Sequence, residues 1–462
     1  MVDMKNKNQE LFRASFESLY ASESQSTRAI IDDFGRPTME SAATSSSIVF
    51  DSADHQGFGL ANVSADEYVI QKPIREWFGN TGVNTGTIGA HPDFEYLVGT
   101  DDTKYHHITT VFIDIKNSTR LSLRYGLPQV QKIKNTILRA ASETVRALDG
   151  HVHRFMGDAL MAYFGGMRRD SESACMAAIN CAAMLRLLMD ESIGPGLLKQ
   201  GIDANDIGFR VGIDYGGDDQ VLWSSYGYRD VSEVTATSFF VDAAAKLQSM
   251  ASKDSAMLGG NLVRYLDFPH SLTGQKTKMR DGVPVPIPYL LPNYSVFGGE
   301  NHNYEIHELK FREFVRLLPI PLEMRQKIVN GVLAYPGIQF QAFCRDMQSY
   351  NEYRSVSRCV NKGTEVKFQI FIEPHALDGL RMPLRGEWIR KNHGQQAADA
   401  NMSHDDRGDF EIKPNAANRG RDPRKYSWTR HAEYRGIHTM EIRIYDVNNK
   451  LLFSDIIGIH IR

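Results

Sequence analysis

The chain has 462 residues, 24% of them charged, and a formal net charge of −3. That length accommodates two or three domains with sizeable cores, and so even a charge balance argues against nucleic acid as a partner. No apolar run approaches the roughly 18 residues of a membrane span, and Met1-Val-Asp-Met-Lys-Asn-Lys7 lacks a signal-peptide apolar core, so a cytoplasmic protein with no membrane partner is expected.

In chain order, Leu11, Phe12, Phe16, Leu19 and Tyr20 form one face of an amphipathic segment, and Ser41-Ala-Ala-Thr-Ser-Ser-Ser47 reads as a loop. Gly79-Asn-Thr-Gly-Val-Asn-Thr-Gly-Thr-Ile-Gly89 lacks the Gly-Lys-Ser/Thr ending of a phosphate loop and is read as an irregular connection. Thr109-Thr-Val-Phe-Ile-Asp-Ile115 is a β-branched strand ending on Asp114, followed by small polar residues suited to a turn and a helix start. Val130, Ile133, Ile137, Ala141, Val145 and Leu148 then mark one face of a helix, opened by Pro128 and closed by Gly150. His153 to Phe164 alternates as two strands folded about Gly157-Asp158.

Two acids are thereby placed at strand ends, where a divalent ion such as magnesium or manganese can relieve their repulsion. Two ordinary turn aspartates are the alternative. Further on, Ser173 to Met189 predicts a packed helix, Ile207 to Ile213 and Val221 to Trp223 predict strands, and Phe239 to Met250 predicts a helix. Gly282 to Pro292 is proline-punctuated and extended, and a helical stretch is expected within Glu313 to Leu333, broken near Pro319 and Pro321. Glu365 to Ile372, Thr439 to Tyr445, Leu451 to Phe453 and Ile456 to Ile461 read as antiparallel strands of a small β-sandwich, with a turn at Asn448-Asn449. Cys175, Cys181, Cys344 and Cys359 show neither metal-site spacing nor the density of a disulfide framework and read as buried thiols.

The blocks Phe112-Ile-Asp-Ile115, Ser118-Thr119, Arg154, Gly157-Asp-Ala-Leu-Met-Ala162, Arg210-Val-Gly-Ile-Asp-Tyr-Gly216 and Val241-Asp-Ala-Ala-Ala-Lys-Leu247 resemble the class III nucleotidyl cyclase catalytic domain in order and spacing. The resemblance implies an α+β fold, a ferredoxin-like βααββαβ palm, working as a head-to-tail homodimer with shared sites. Arg385-Gly-Glu-Trp388 and Tyr434-Arg-Gly-Ile-His-Thr-Met-Glu441 resemble the adenylyl/guanylyl cyclase and SMODS C-terminal sensor domain. The expected organisation is an N-terminal extension of unknown role at 1–104, the catalytic domain at 105–251, a connector at 252–363 and the sensor-like domain at 364–462.

By that resemblance Asp114, the Ile115 carbonyl and Asp158 hold two Mn2+ or Mg2+ ions per site. Phe112 is a substrate-binding candidate, and the turn Lys116, Asn117, Ser118 and Thr119 can present backbone N–H groups to the triphosphate, Lys116 being a phosphate contact or a solvated charge, while Arg154 and Thr235 take the base-selecting positions. Asp242 and Lys246 stand where the family usually has Asn and Arg, which puts the transition-state contacts in doubt: Lys keeps the charge without the planar fork, and ionised Asp cannot donate. With Arg154 in place of the purine-selecting lysine, the chain looks like the Pycsar pyrimidine cyclases of bacterial antiphage defence. That implies CTP converted to 3′,5′-cyclic CMP and diphosphate, read by a cyclic-nucleotide-activated effector and triggered by a phage-derived activator. UTP cyclisation, an adenylyl cyclase with a drifted pocket, and a catalytically dead sensor are the alternatives.

Overall fold

The computed structural model of the chain describes residues 2–34, 68–228, 231–296, 298–413 and 423–462, so the expected Ser41–Ser47 loop lies outside the described residues. The chain forms two compact units. One comprises Met1–Pro73, Gly82–Arg168 and Met184–Ala256; the other comprises Ile74–Thr81, Arg169–Ala183 and Met257–Arg462.

In the first unit the helices are α1 (Val2–Phe34), α2 (Ser118–Arg124), α3 (Leu127–Ala147) and α5 (Phe239–Met250), α4 being the helix Ser171–Leu188. Its strands are β1 (Thr103–Tyr105), β2 (Ile108–Lys116), β3 (His151–Met156), β4 (Ala159–Phe164), β5 (Gly208–Gly216), β6 (Leu222–Tyr228) and β7 (Val231–Thr237). The antiparallel order β3-β4-β2-β5 places the fold's first long strand between its third and fourth, which is the ferredoxin-like arrangement. In chain order β2, α2, α3, β3, β4, α4 and β5 make up the βααββαβ count.

Periodicity explains the packing. Val130, Ile133, Ile137, Ala141 and Val145 of α3 are all buried, and each fully buried large aliphatic side chain contributes about 1.5–3 kcal/mol. On α1, Phe12, Phe16, Leu19 and Tyr20 are buried while Leu11 is half-buried. Lys132 of α3 lies 3.8 Å above the Tyr20 ring, and the Phe16 amide donates to Ser192 Oγ at 3.1 Å. The helical run Ser171–Lys199 is apolar and long enough by composition to cross a membrane, yet 89% of its most apolar window is buried inside the protein. That is the character of a core helix.

The hairpin β6–β7 and β1 form a separate three-stranded sheet. Trp223 of β6 is fully buried against Phe94, Tyr163, Val234 and Val241, with the Phe94 ring stacked 4.0 Å away. Part of the N-terminal extension is thus core material.

The helix α5 crosses the β2–β5 sheet at Gly212. A Cβ there would lie 2.1 Å from the Ala244 carbonyl oxygen and 2.2 Å from the Gln248 nitrogen, backbone atoms with nowhere to go. Gly212→Ala therefore pushes α5 off the sheet, and overpacking of about 1–3 kcal/mol lowers the melting temperature by on the order of 5 °C. An unchanged melting curve would show that α5 does not press on this strand.

In the second unit two antiparallel-rich sheets face each other. One contains Ser349–Tyr353, Ile338–Asp346, Glu365–Ile372 and Arg424–His431; the other contains Cys359–Val360, Leu451–Ile461, Gly436–Tyr445, Leu384–Lys391 and Asp405–Ile412. Phe340, Phe368, Ile370, Trp388, Met440, Ile442 and Ile459 share their core. The sandwich begins earlier than Glu365: Ile338–Asp346, read from sequence as connector, is a full strand paired along Glu365–Ile372. The expected helical stretch between Glu313 and Leu333 resolves into short helices at Phe311–Val315 and Leu322–Ile328, separated by Pro319 and Pro321. All four cysteines are free, three buried and Cys359 half-buried.

Candidate active site

β2 carries Asp114 three-quarters of the way along its length, directly across from Ala159 of β4 and Arg210 of β5. Asp158 immediately precedes Ala159 in the two-residue turn between β3 and β4, where Gly157 takes φ +67°. The Ile115 amide donates to the Asp158 carbonyl at 3.1 Å, which ties the turn to β2. The two acids predicted at strand ends are therefore brought side by side.

Each faces positive or donor groups. Asp114 is buried and accepts from Arg210 Nε at 2.8 Å and also from the same guanidinium's Nη2. Asp158 accepts from the Ser118 hydroxyl and lies 3.8 Å from Lys134 Nζ. An all-oxygen donor set at the rim of a sheet suits magnesium or manganese, and Arg210 and Lys134 place positive charge beside the two carboxylates. The residues fit such ions.

The turn after β2 matches its predicted composition. Asn117 adopts the left-handed conformation, φ 62°, and anchors itself through Nδ2 to the Asp206 carbonyl at 2.9 Å. Ser118 is buried, Thr119 is exposed, and Lys116 is half-buried at the strand end. Asn117 makes no side-chain cap, so the backbone donors of the first turn of α2 keep no competing side-chain partner from it.

Arg154 sits on β3 in register with Met161, which in turn faces Phe112. Cross-strand neighbours share a face, so Arg154, Phe112 and Asp114 lie on the same side of the sheet, the side crossed by α5. A bulge between Val152 and Arg154 resets the alternation, and Asp158 belongs to the turn rather than to the strand. The guanidinium's Nη2 contacts Glu233 Oε1 at 2.6 Å, His153 Nε2 at 2.9 Å and Thr235 Oγ1 at 3.5 Å. Arg154 and Thr235, paired from sequence, do come together.

Because arginine can only donate, His153 Nε2 must accept, so the hydrogen resides on Nδ1 and is donated to the Gly89 carbonyl at 2.9 Å. Burial pushes the His153 pKa down, which favours this neutral tautomer. Thr235 is itself held 3.2 Å from the Tyr163 hydroxyl. Asp242 and Lys246 lie four residues apart on the exposed face of α5, and neither forms an ion pair among the described residues.

A family model described as the adenylate and guanylate cyclase catalytic domain matches residues 100–286, and one described as the adenylyl/guanylyl and SMODS C-terminal sensor domain matches residues 313–462. The chain is 36% identical over 418 residues to a cytidylate cyclase of Escherichia coli, covering 88% of this chain and 90% of that one. It is 30% identical to a cytidylate cyclase of Staphylococcus aureus, covering 87% and 92%. The chain belongs to the cytidylate cyclase family. Among solved structures, the adenylyl cyclase CyaB of P. aeruginosa is 18% identical, with 45% of this chain and 95% of that one covered and a TM-score of 0.36.

Within this cyclase, sequence reasoning missed three side chains of the site: Arg210, Lys134 and Glu233. Arg210 was legible in principle, since it lies on the β5 block and pairs directly across from Asp114 on the same face of the sheet. Lys134 is signalled only by its place on α3, and Glu233 by none, because β7 itself was not expected.

Proposed function

We propose that the chain converts CTP to 3′,5′-cyclic CMP and diphosphate as a cytoplasmic homodimer. The ribose 3′ oxygen attacks the α-phosphorus in line, the bond to the β-phosphate oxygen breaks, diphosphate leaves and the 3′ proton passes to solvent. Asp114, the Ile115 carbonyl and Asp158 are the residues that would hold two Mg2+ or Mn2+ ions, which when bound lower the 3′-hydroxyl pKa and neutralise the leaving phosphates. Lys116, Asn117, Ser118 and Thr119 form the turn beside the triphosphate, and Phe112 lies on the same sheet face as Arg154. Lys246 supplies positive charge to the pentavalent phosphorus from the partner subunit, with Asp242 beside it. Their exposed position on α5 supports a site completed by a second chain.

The observation that carries the pyrimidine reading is Arg154, held by His153, Glu233 and Thr235 rather than swinging free. A long planar guanidinium narrows the base pocket and offers paired donors to O2 of a pyrimidine. The relatives named cytidylate cyclase support cytosine as the base. To the C-terminal sandwich we assign reception of an activating signal of phage origin, and to the cyclic nucleotide the role of second messenger to an effector in antiphage defence.

Arg154→Lys tests this. It keeps the charge and loses the fork, so pyrimidine turnover falls roughly tenfold or more relative to ATP turnover, as a lost charged hydrogen bond of about 1.5–3 kcal/mol requires. Equal slowing of all nucleotides would remove Arg154 from the base pocket.

A further inference from the structure

Glu233 stands on β7 two residues before Thr235, so both project from the same face of that strand. Its Oε1 is 2.6 Å from Arg154 Nη2, while Oε2 has no partner among the described residues and the side chain is 39% exposed. Every hydrogen bond of Arg154 among the described residues runs through Nη2, and Nε is buried without a partner, which leaves Nη1 as the group able to donate to a ligand. The pair thus offers, side by side, a donor group and a carboxylate acceptor.

We infer that Glu233 reads position 4 of the base and selects cytosine against uracil. This rests on the reading that the substrate is a pyrimidine nucleotide. Cytosine presents two acceptors, O2 and N3, followed by the N4 amino donor; uracil presents O2, an N3–H donor and the O4 acceptor. Arg154 Nη1 matches O2 and N3 of cytosine, and Glu233 Oε2 accepts from N4, the pairing by which carboxylates recognise cytosine elsewhere. Against uracil, the carboxylate meets the O4 lone pairs with no hydrogen to share, and the guanidinium meets the N3–H. A site whose buried or half-buried polar groups are left unpaired discriminates strongly against the wrong isostere.

His153 contributes by holding Arg154. With Nε2 accepting, it fixes Nη2 toward Glu233, so the donor and acceptor stay in register with the base edge.

The test is the ratio of kcat/KM for CTP to that for UTP in the full-length protein and in Glu233→Gln, with circular dichroism confirming the fold. A glutamine amide both donates and accepts, so it no longer repels O4. The preference for CTP falls at least about tenfold, through a loss on CTP and a gain on UTP. If Glu233→Gln does not fold, Glu233→Ala is measured in the same way. Equal losses on both nucleotides would mean that Glu233 only orients Arg154, and an unchanged ratio would mean that it faces no base; either overturns the inference. A wild-type protein that prefers UTP overturns it directly, whereas a wild type that cyclises neither pyrimidine overturns the underlying assignment instead.

Discussion

Asp158→Ala brings cyclic nucleotide formation below a few per cent of wild type while leaving the melting temperature nearly unchanged. Asp158 occupies a half-exposed turn, and its contacts to Ser118 and Lys134 are local. With Asp158 proposed as a holder of the divalent ions, its removal would forfeit several kcal/mol of transition-state stabilisation, which corresponds to a thousandfold or more. Asp114→Ala removes activity equally but has a second cost. Its carboxylate is buried against Arg210, and deleting one member of a buried ion pair costs about 3–5 kcal/mol because the other is stranded. Asp114→Asn, which keeps the shape and an acceptor for Arg210, separates the two effects: activity is lost and the fold is retained. Activity above a few per cent in Asp158→Ala, or in folded Asp114→Asn, would take these residues out of the metal site.

The second large effect is recovery. Asp158→Ala and Lys246→Ala are each inactive alone, yet mixed in equal amounts they regain about a quarter of wild-type activity. In a head-to-tail dimer each site takes its carboxylates from one chain and Lys246 from the other. Half of randomly exchanged dimers are mixed, and each mixed dimer carries one intact site of two, which gives the expected quarter. The exposure of Asp242 and Lys246 on α5 is what such sharing needs from a single chain. Verified subunit exchange with no recovery would place each site within one chain.

Elements with strong periodicity were legible. The helix expected over Phe239 to Met250 runs between those residues, and Glu365–Ile372 is a strand as its alternation implies. The hairpin about Gly157-Asp158 is found as expected because glycine there takes a positive φ that other residues resist. β7 was not legible: Val231 is out of step with Val234 and Ala236, so its apolar residues do not alternate, and the hairpin it forms with β6 joins β1, which is distant in sequence. The strand Ile338–Asp346 was missed because its inward positions include the small residues Ala342 and Cys344, while Gln339 and Gln341 face outward.

For the site, the residue types of Asp114, Asp158, Arg154 and Thr235 could be picked from motif spacing, since the spacing reports strand ends and turns. Their partners could not. The Arg154–Glu233 pair and the His153 tautomer depend on the bulge in β3 and on how β7 lies against it, both consequences of tertiary packing.

The most direct test of the central claim is incubation of the purified protein with ATP, GTP, CTP and UTP separately in the presence of Mn2+, each product being identified by mass. The expected dominant product is 3′,5′-cyclic CMP from CTP, with diphosphate released in equal amount. Cyclic AMP or cyclic GMP as the main product, or no cyclic nucleotide from any of the four, would contradict it.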